Sequence, residues 1–244
     1  FYLFIFLIIF TSCVSVKKYN ERLLTPIPAE ELKEDVDFTY KSLQKNHPDL
    51  YGYISKEKLD FKFDSLKTTI NKPLTSSEFY QKLAPVISEV RQGHLNLIIP
   101  SKKLTRKEIK NLEKQKGLFS RYNYVLDEDK IYVKDNADKV PNMNVGTEIL
   151  EINKEKVADI LKRYQPFITS DGYNTTYQKY ALARRWTTFF TVEKGILDSV
   201  QLKTKYQNEI KTFYLTREKV TKTEKKEEKK LVKQKEKQQK TQDY

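Results

Sequence analysis

The 244-residue sequence contains one cysteine, two histidines and six glycines, and each scarcity excludes a class of protein. With Cys13 alone, no intrachain disulfide can form. With only His47 and His94 beside it, no zinc-ligand pattern can form either. So few glycines exclude a collagen-like or glycine-rich repeat. We therefore expect no disulfide framework, no metal site and no cofactor.

The charge balance is strongly basic, with a formal net charge of +13. The sequence contains no recognised nucleic-acid motif, so we expect no nucleic-acid partner. Part of the excess lies in residues 218–244, which are rich in lysine, glutamate and glutamine. This segment has almost nothing to bury and is predicted to be a charged tail.

The sequence opens on an apolar run, Phe1 to Phe10, which is too short to span a bilayer as a helix. It matches the core of a secretory signal, predicted at 1–12. The following Thr-Ser-Cys13 resembles the lipobox of bacterial lipoproteins. That resemblance implies cleavage before Cys13 and attachment of a diacylglycerol to its sulfur.

Two other interpretations of this run remain open: a truncated transmembrane helix and an ordinary cleaved signal. All three place the remaining chain outside the cytoplasm. The lipoprotein interpretation predicts a cell-envelope protein, anchored in the membrane through its lipid and facing the periplasm or the exterior.

The first half of the mature sequence has helical periodicity. We predict a tether at 13–27 and a helical cap domain at 28–104. Thr75 with Glu78 has the spacing of a capping box at the start of a helix. Gly93 is placed to end that helix in a left-handed conformation, and the alternating segment from His94 to Ile99 predicts a short strand.

The second half, 105–217, changes to strand patterns. Thr105 and Glu108 predict a short helix, followed by strands, one short and one long helix, and a final hairpin. The predicted fold class is therefore α+β, with a helical domain, a mixed strand and helix domain, and the charged tail.

Several short motifs, in this order, resemble tail-specific, tricorn-like serine peptidases. The cap region contains Asn-His-Pro-Asp-Leu-Tyr at 46–51 and Gly93-His94. The segment 145–153, Val-Gly-Thr-Glu-Ile-Leu-Glu-Ile-Asn, is similar to a strand pair of PDZ domains. Asp171-Gly172 begins a short motif that resembles one found after those strands in the family. The resemblance covers about 28–217 and implies that the second domain is PDZ-like.

The resemblance also implies roles for individual residues. In one branch of the family a histidine at the position of His94 is the general base for the catalytic serine, whereas other branches use a Ser/Lys pair, in which case His94 is structural. Gly117, Leu118 and Phe119 resemble the PDZ loop whose N–H groups bind a C-terminal carboxylate. The expected partners are polypeptide substrates or protein C-termini.

The family places its nucleophilic serine in a third domain, which this sequence does not contain. We therefore expect the N-terminal part of an exported serine peptidase that is inactive alone. The alternative is a non-catalytic envelope lipoprotein that binds peptides through the PDZ-like domain. His47, before a proline, is predicted to be a cap or turn residue. The later aromatic cluster is predicted to be core, with peptide binding as its alternative: Tyr173, Tyr177, Tyr180, Trp186, Phe189 and Phe190.

Overall fold

The structure is a computed structural model that describes residues 15–136 and 140–220. It is an α+β protein in which helices come first and an antiparallel sheet follows, as the sequence predicts. The predicted signal, Cys13 and residues 221–244 lie outside the described residues. Within the described part of the chain, no helix is both long and apolar enough to cross a membrane.

Helices fill the first half, which we call the helical domain (residues 15–104). In chain order they are α1 (Val16–Leu24), α2 (Ala29–Asn46), α3 (Lys56–Thr68) and α4 (Ser76–Ser88), followed at the start of the next domain by α5 (Arg106–Leu112). The predicted apolar stripes of α2, α3 and α4 meet in one mainly aliphatic core, in which Leu32, Val36 and Leu59 are fully buried.

Both predicted capping boxes are present. The Glu78 N–H donates to the Thr75 hydroxyl at 3.3 Å, and the Thr75 N–H donates to the Glu78 carboxylate at 2.8 Å. Thr105 and Glu108 make the same pair of bonds at the start of α5. Each box satisfies two backbone donors that a helix N-terminus leaves without partners. The hydrogen bonds from Thr105 lower the pKa of Glu108 to about 2.

The second half, residues 105–220, forms the sheet domain. Its strands are β1 (Tyr122–Asp127), β2 (Lys130–Asn136), β3 (Glu148–Ile152), β4 (Glu155–Lys156), β5 (Ser199–Tyr206) and β6 (Glu209–Thr216). They pair antiparallel in the order β1-β2-β3-β5-β6, with β4 beside β3. Helices α6 (Val157–Tyr164) and α7 (Thr175–Lys194) pack against the sheet over a core rich in aromatic side chains.

The strand predicted from His94 to Ile99 is wrong, because no strand forms there and the segment pairs with no strand among the described residues. The predicted alternation of burial is nevertheless present. It arises because the extended segment crosses both cores: Leu95 and Leu97 pack on the helical core, and Ile99 packs on the core of the sheet domain.

The predicted end of α4 is also wrong. The left-handed residue is Arg91, with φ of 56°, and not Gly93. Glycine at position 93 provides space instead of conformational freedom. A Cβ atom built there would lie 3.2 Å from both carboxylate oxygens of Asp171, which is closer than most real contacts.

Two predicted boundaries differ from the structure. The segment predicted as a tether, 13–27, contains α1, and Ile27 exchanges two backbone hydrogen bonds with Leu74 of the helical domain. At the other end, Glu218 to Val220 belong to the sheet domain instead of the tail. The Lys116 N–H donates to the Glu218 carbonyl at 2.7 Å. Unpaired backbone groups beside a folded domain gain by such pairing, which charge composition does not reveal.

Candidate functional site

Strand β1 is an edge strand, since it pairs only with β2 along its length within the described sheet. Helix α7 runs beside it. Its first turn is capped by the side chain of Asn174, which accepts from the Tyr177 N–H at 2.9 Å. Trp186 of α7 is fully buried, with ring centroids 5.0 Å from Phe119 and 5.1 Å from Tyr124 of β1. This aromatic contact fixes the helix against the edge strand.

A cavity of about 640 Å³ lies between β1 and α7, and we call it the β1–α7 groove. Asn123 and Tyr124 line it from the strand, and Tyr180, Arg184 and Thr187 line it from the helix. On each wall, a hydrogen bond between two side chains orients their polar groups. The Arg184 guanidinium donates to the Tyr180 hydroxyl at 2.9 Å, and the Asn123 amide donates to the Asp135 carboxylate at 3.3 Å.

A second cavity, of about 380 Å³, lies beside residues 117–120. Both cavities are lined by Phe119, Ser120 and Thr187. The second cavity has an apolar part, formed by Leu118, Phe190, Val192 and Leu197, and a cationic residue, Arg217. The Arg217 Nε donates to the Leu197 carbonyl at 2.8 Å, which orients the guanidinium at this cavity.

Gly117, Leu118 and Phe119 form a loop that lines this second cavity. The side chains of Leu118 and Phe119 are buried in the core, with 5% and 7% exposure. The loop carbonyls already accept: Gly117 from the Ser120 hydroxyl and Phe119 from the Tyr124 hydroxyl. In contrast, the main-chain N–H groups of Leu118, Phe119 and Ser120 donate to no group among the described residues.

Successive N–H groups without acceptors, in a loop that lines the same cavity as a guanidinium, have the chemistry that an anion site needs. Arg121, the next residue along the chain, is engaged elsewhere. Its buried side chain lies 2.7 Å from the carboxylate of Glu218. Among the described residues that line the second cavity, the cationic one is Arg217.

Tyr124 lines the β1–α7 groove. Burial raises the pKa of Tyr124 well above its usual value, so its hydroxyl stays neutral.

His94 lies at the other end of α7, between the two domains. Its side chain is exposed. The N–H of Gly93, the residue before His94, donates to the carboxylate of Asp171 at 2.7 Å. The structure thus joins two motifs that lie 78 residues apart in sequence. We call residues 91–96 the His94 segment and residues 169–173 the clamp loop.

Two further residues that the sequence singles out are His47 and Cys13. His47 ends α2, and its Nδ1 accepts from the Asp49 N–H at 3.3 Å, which confirms the prediction of a cap or turn residue. In the part of the chain that the structure describes, no cluster of three or more His, Cys, Asp and Glu side chains is arranged to hold a metal ion. Cys13 lies outside the described residues.

The aromatic cluster divides into two groups. Trp186, Phe189 and Phe190 are core residues, as predicted, whereas the tyrosines nearer the start of α7 are exposed, with Tyr173 71% exposed and Tyr180 56% exposed. Sequence reasoning missed Asp171 and Arg217 as site residues. In the sequence, Asp171 belongs only to a short motif that resembles the peptidase family, and no local pattern points to Arg217.

Comparison with known proteins gives a partial likeness. A crystal structure of mature CPAF, a chlamydial tail-specific protease, matches 79% of this chain at 15% sequence identity and a TM-score of 0.49. Mature CPAF complexed with lactacystin matches with a TM-score of 0.47, also at 15% identity and 79% coverage. The chain spans about a third of those chains, 35% in each case. These values are too low to assign a family, and the sequence matches no family model and no curated protein.

Proposed function

We propose that this chain binds extended polypeptide, with a free C-terminus, as the N-terminal part of an exported serine peptidase of the tail-specific type. The observation that carries the proposal is the β1–α7 groove, an open strand edge that ends at N–H groups without acceptors. A peptide added to this edge would form main-chain hydrogen bonds along β1, and its side chains would alternate toward and away from α7.

The second cavity supports the specificity for chain ends. A terminal carboxylate would accept from the N–H groups of Leu118 and Phe119 and would lie near Arg217. The apolar part of this cavity fits a terminal aliphatic or aromatic side chain. A peptide with an amidated end keeps the strand pairing but loses the negative charge, so the proposal predicts discrimination between the two.

His94 would then act as the general base for a serine that another part of the longer protein provides. A general base needs a group that accepts a proton near neutrality and lies within hydrogen-bond reach of the nucleophile. His94 is exposed, so a second domain can approach its ring. The described residues alone provide the base and the peptide site, and we expect no peptidase activity from them.

The peptide site is tested by fluorescence anisotropy with fluorescein-labelled peptides of about ten residues that end in leucine. We expect micromolar binding of the free-acid peptide and about tenfold weaker binding of its amide. Thr187→Phe, which fills the junction of the two cavities, is expected to reduce binding of the free acid by at least about tenfold. Thr212→Phe, at an exposed position of β6, is the matched control and is expected to bind normally.

Equal binding of the acid and the amide would contradict the carboxylate site. Equal loss of binding in Thr187→Phe and Thr212→Phe would contradict the groove. If the wild-type chain binds neither peptide, the proposed function itself is wrong.

Export and anchoring are a separate part of the proposal. If a diacylglycerol on Cys13 holds the protein on the membrane, then Cys13→Ala removes the acylated sulfur and releases the protein, because each buried methylene contributes about 0.8 kcal/mol of membrane affinity. Fractionation of cells that express the wild type and Cys13→Ser or Cys13→Ala checks this. A mutant that still pellets with membranes would show that the anchor is not this lipid.

A further inference from the structure

Asp171 bonds the main chain one residue before His94. The distance from the Gly93 nitrogen to the Asp171 Oδ1 is 2.7 Å, at the short end of the range for N–H···O bonds. Glycine at position 93 favours this approach, because a Cβ there would lie 3.2 Å from both carboxylate oxygens and the Asp171 side chain would have to shift. The short distance and the small residue at position 93 therefore both favour this contact.

The clamp loop makes a second bond to the His94 segment on the N-terminal side. The Gly172 N–H donates to the Arg91 carbonyl at 2.9 Å. The guanidinium of Arg91 lies 4.4 Å from the centre of the Tyr173 ring, in cation–π geometry. The Tyr173 hydroxyl in turn donates to the Tyr53 carbonyl at 3.1 Å, which ties the clamp loop to the helical domain.

A third bond holds the C-terminal side of His94. The Thr169 hydroxyl donates to the Asn96 side-chain oxygen at 2.7 Å. The Asn96 amide then donates to the Gly93 carbonyl at 3.0 Å. His94 therefore projects from a short stretch of main chain that is bonded on both sides, while its own side chain remains exposed.

Apart from the clamp loop, the His94 segment contacts the helical domain, where Leu95 packs on the core and the Gln92 amide donates to the Asp49 carbonyl at 3.4 Å. Within the described residues, its backbone bonds beyond Arg91 are few: the Leu95 N–H donates to the Gln92 carbonyl, and no strand pairs with the residues that follow. The main-chain bonds closest to His94 come from the clamp loop, so the position of the imidazole depends on that loop as well as on the helical domain. A displacement of about 1 Å at a catalytic group can cost about a hundredfold in rate, so such dependence matters for a base.

We propose that Asp171 is a positioning residue for His94, acting through the Gly93 amide to fix the main chain that carries the imidazole. The inference rests on the role of His94 as a general base in the proposed function. It adds that the sheet domain, and not only the helical domain that precedes His94, determines where this base lies.

The six glycines and two histidines make the test direct. In the full chain labelled with ¹⁵N-glycine, hydrogen exchange of the Gly93 amide is expected to be about tenfold faster in Asp171→Ala than in the wild type. Asp171→Asn keeps an acceptor oxygen and is expected to restore most of the protection. Gly146, whose N–H donates to the Val133 carbonyl within the sheet domain, is the internal control and should not change.

Labelled histidine gives the second measurement. The ring signals of His94 are expected to shift and broaden in Asp171→Ala and to return toward the wild type in Asp171→Asn. The His47 signals should stay in place in both variants. A general loss of folding would move all of these signals together, whereas a positioning role moves only those of His94.

Unchanged Gly93 exchange and unchanged His94 signals in Asp171→Ala would overturn the inference, as would an Asp171→Asn variant as disturbed as the alanine variant. If Asp171→Ala also exposes Gly146, Thr169→Val replaces it, since valine keeps the shape and removes one bond. A smaller broadening of His94 alone is expected there, and its absence would equally overturn the inference. Peptide binding is expected to be normal in Asp171→Asn. A wild-type chain that binds no peptide would refute the proposed groove without affecting these signals.

Discussion

The two edges of the sheet have different surroundings. Edge strand β1 faces a cavity and the flank of α7, with Trp186 packed beneath it. Edge strand β6 contacts chiefly β5 and is mostly exposed, with Glu209 and Lys211 forming an ion pair at 3.1 Å on its surface. Charges on an open edge discourage pairing with other chains. The two edges therefore differ in what lies beside them: β1 has a cavity and a helix, as the proposed peptide site requires, and β6 has surface charges.

The largest expected effect comes from removing the support beneath the β1 edge. Trp186→Ala deletes a fully buried indole that contacts Phe119, Tyr124 and Phe190, so we expect a loss of about 3 to 5 kcal/mol in the free energy of unfolding. Tyr214→Ala on β6, where the ring is 67% exposed, is expected to change stability by less than about 0.5 kcal/mol. Urea unfolding measures the free energy of unfolding of both variants. Equal losses would show that the two edges do not differ in the packing that supports them.

A second change is designed to make β6 resemble an open edge. The double variant Glu209→Val with Lys211→Val removes the ion pair and leaves exposed Ile210 beside two more β-branched side chains. We expect self-association to increase by about tenfold, measured by sedimentation velocity over a range of concentrations. A variant that stays as monomeric as the wild type would show that these charges do not protect the edge.

The smallest expected effect concerns Glu193, which lies in the last turn of α7, the helix that packs beside β1. Burial raises the pKa of Glu193, but hydrogen bonds from Tyr164 and Lys194 and the charge of Arg163 outweigh it, so the pKa lies below its ordinary value. A carboxylate with a lowered pKa in the folded state stabilises the fold above its unfolded pKa. That contribution is lost as the pH falls through the folded pKa.

Glu193→Gln is therefore expected to cost about 1 kcal/mol at about pH 7 and clearly less at about pH 3, measured by urea unfolding at both values. The Arg163 side chain also pairs with Glu155, at 2.8 Å, so the junction of α6 and α7 is weakened but not separated. If the difference between wild type and variant is the same at both pH values, the ionised carboxylate does not contribute as described.

Local chemistry was readable from the sequence, and this explains which predictions are confirmed. The capping box of Thr75 and Glu78 depends on a spacing of three residues, and the final hairpin depends on apolar alternation around a turn. The order of helical domain and sheet domain follows from the change of periodicity. Each of these features is set by residues close together in the chain.

Features that depend on distant residues were not readable in the same way. The alternation from His94 to Ile99 cannot distinguish a strand from an extended segment that lies on two cores. Asp171 and Gly93 were both singled out as motifs, but their contact spans 78 residues and follows only from how the domains pack. The free N–H groups near Leu118 likewise result from a loop conformation that composition does not specify.

Helix α7 begins directly after the clamp loop and passes the carboxylate end of the groove near Thr191. At 1.5 Å per residue, that stretch measures about 26 Å, which an extended chain covers in about eight residues. The helix therefore sets the distance between the second cavity and the neighbourhood of His94. If the proposed function holds, a polypeptide whose end lies in that cavity needs at least about eight residues to reach His94, and the length of the tail would then select among substrates.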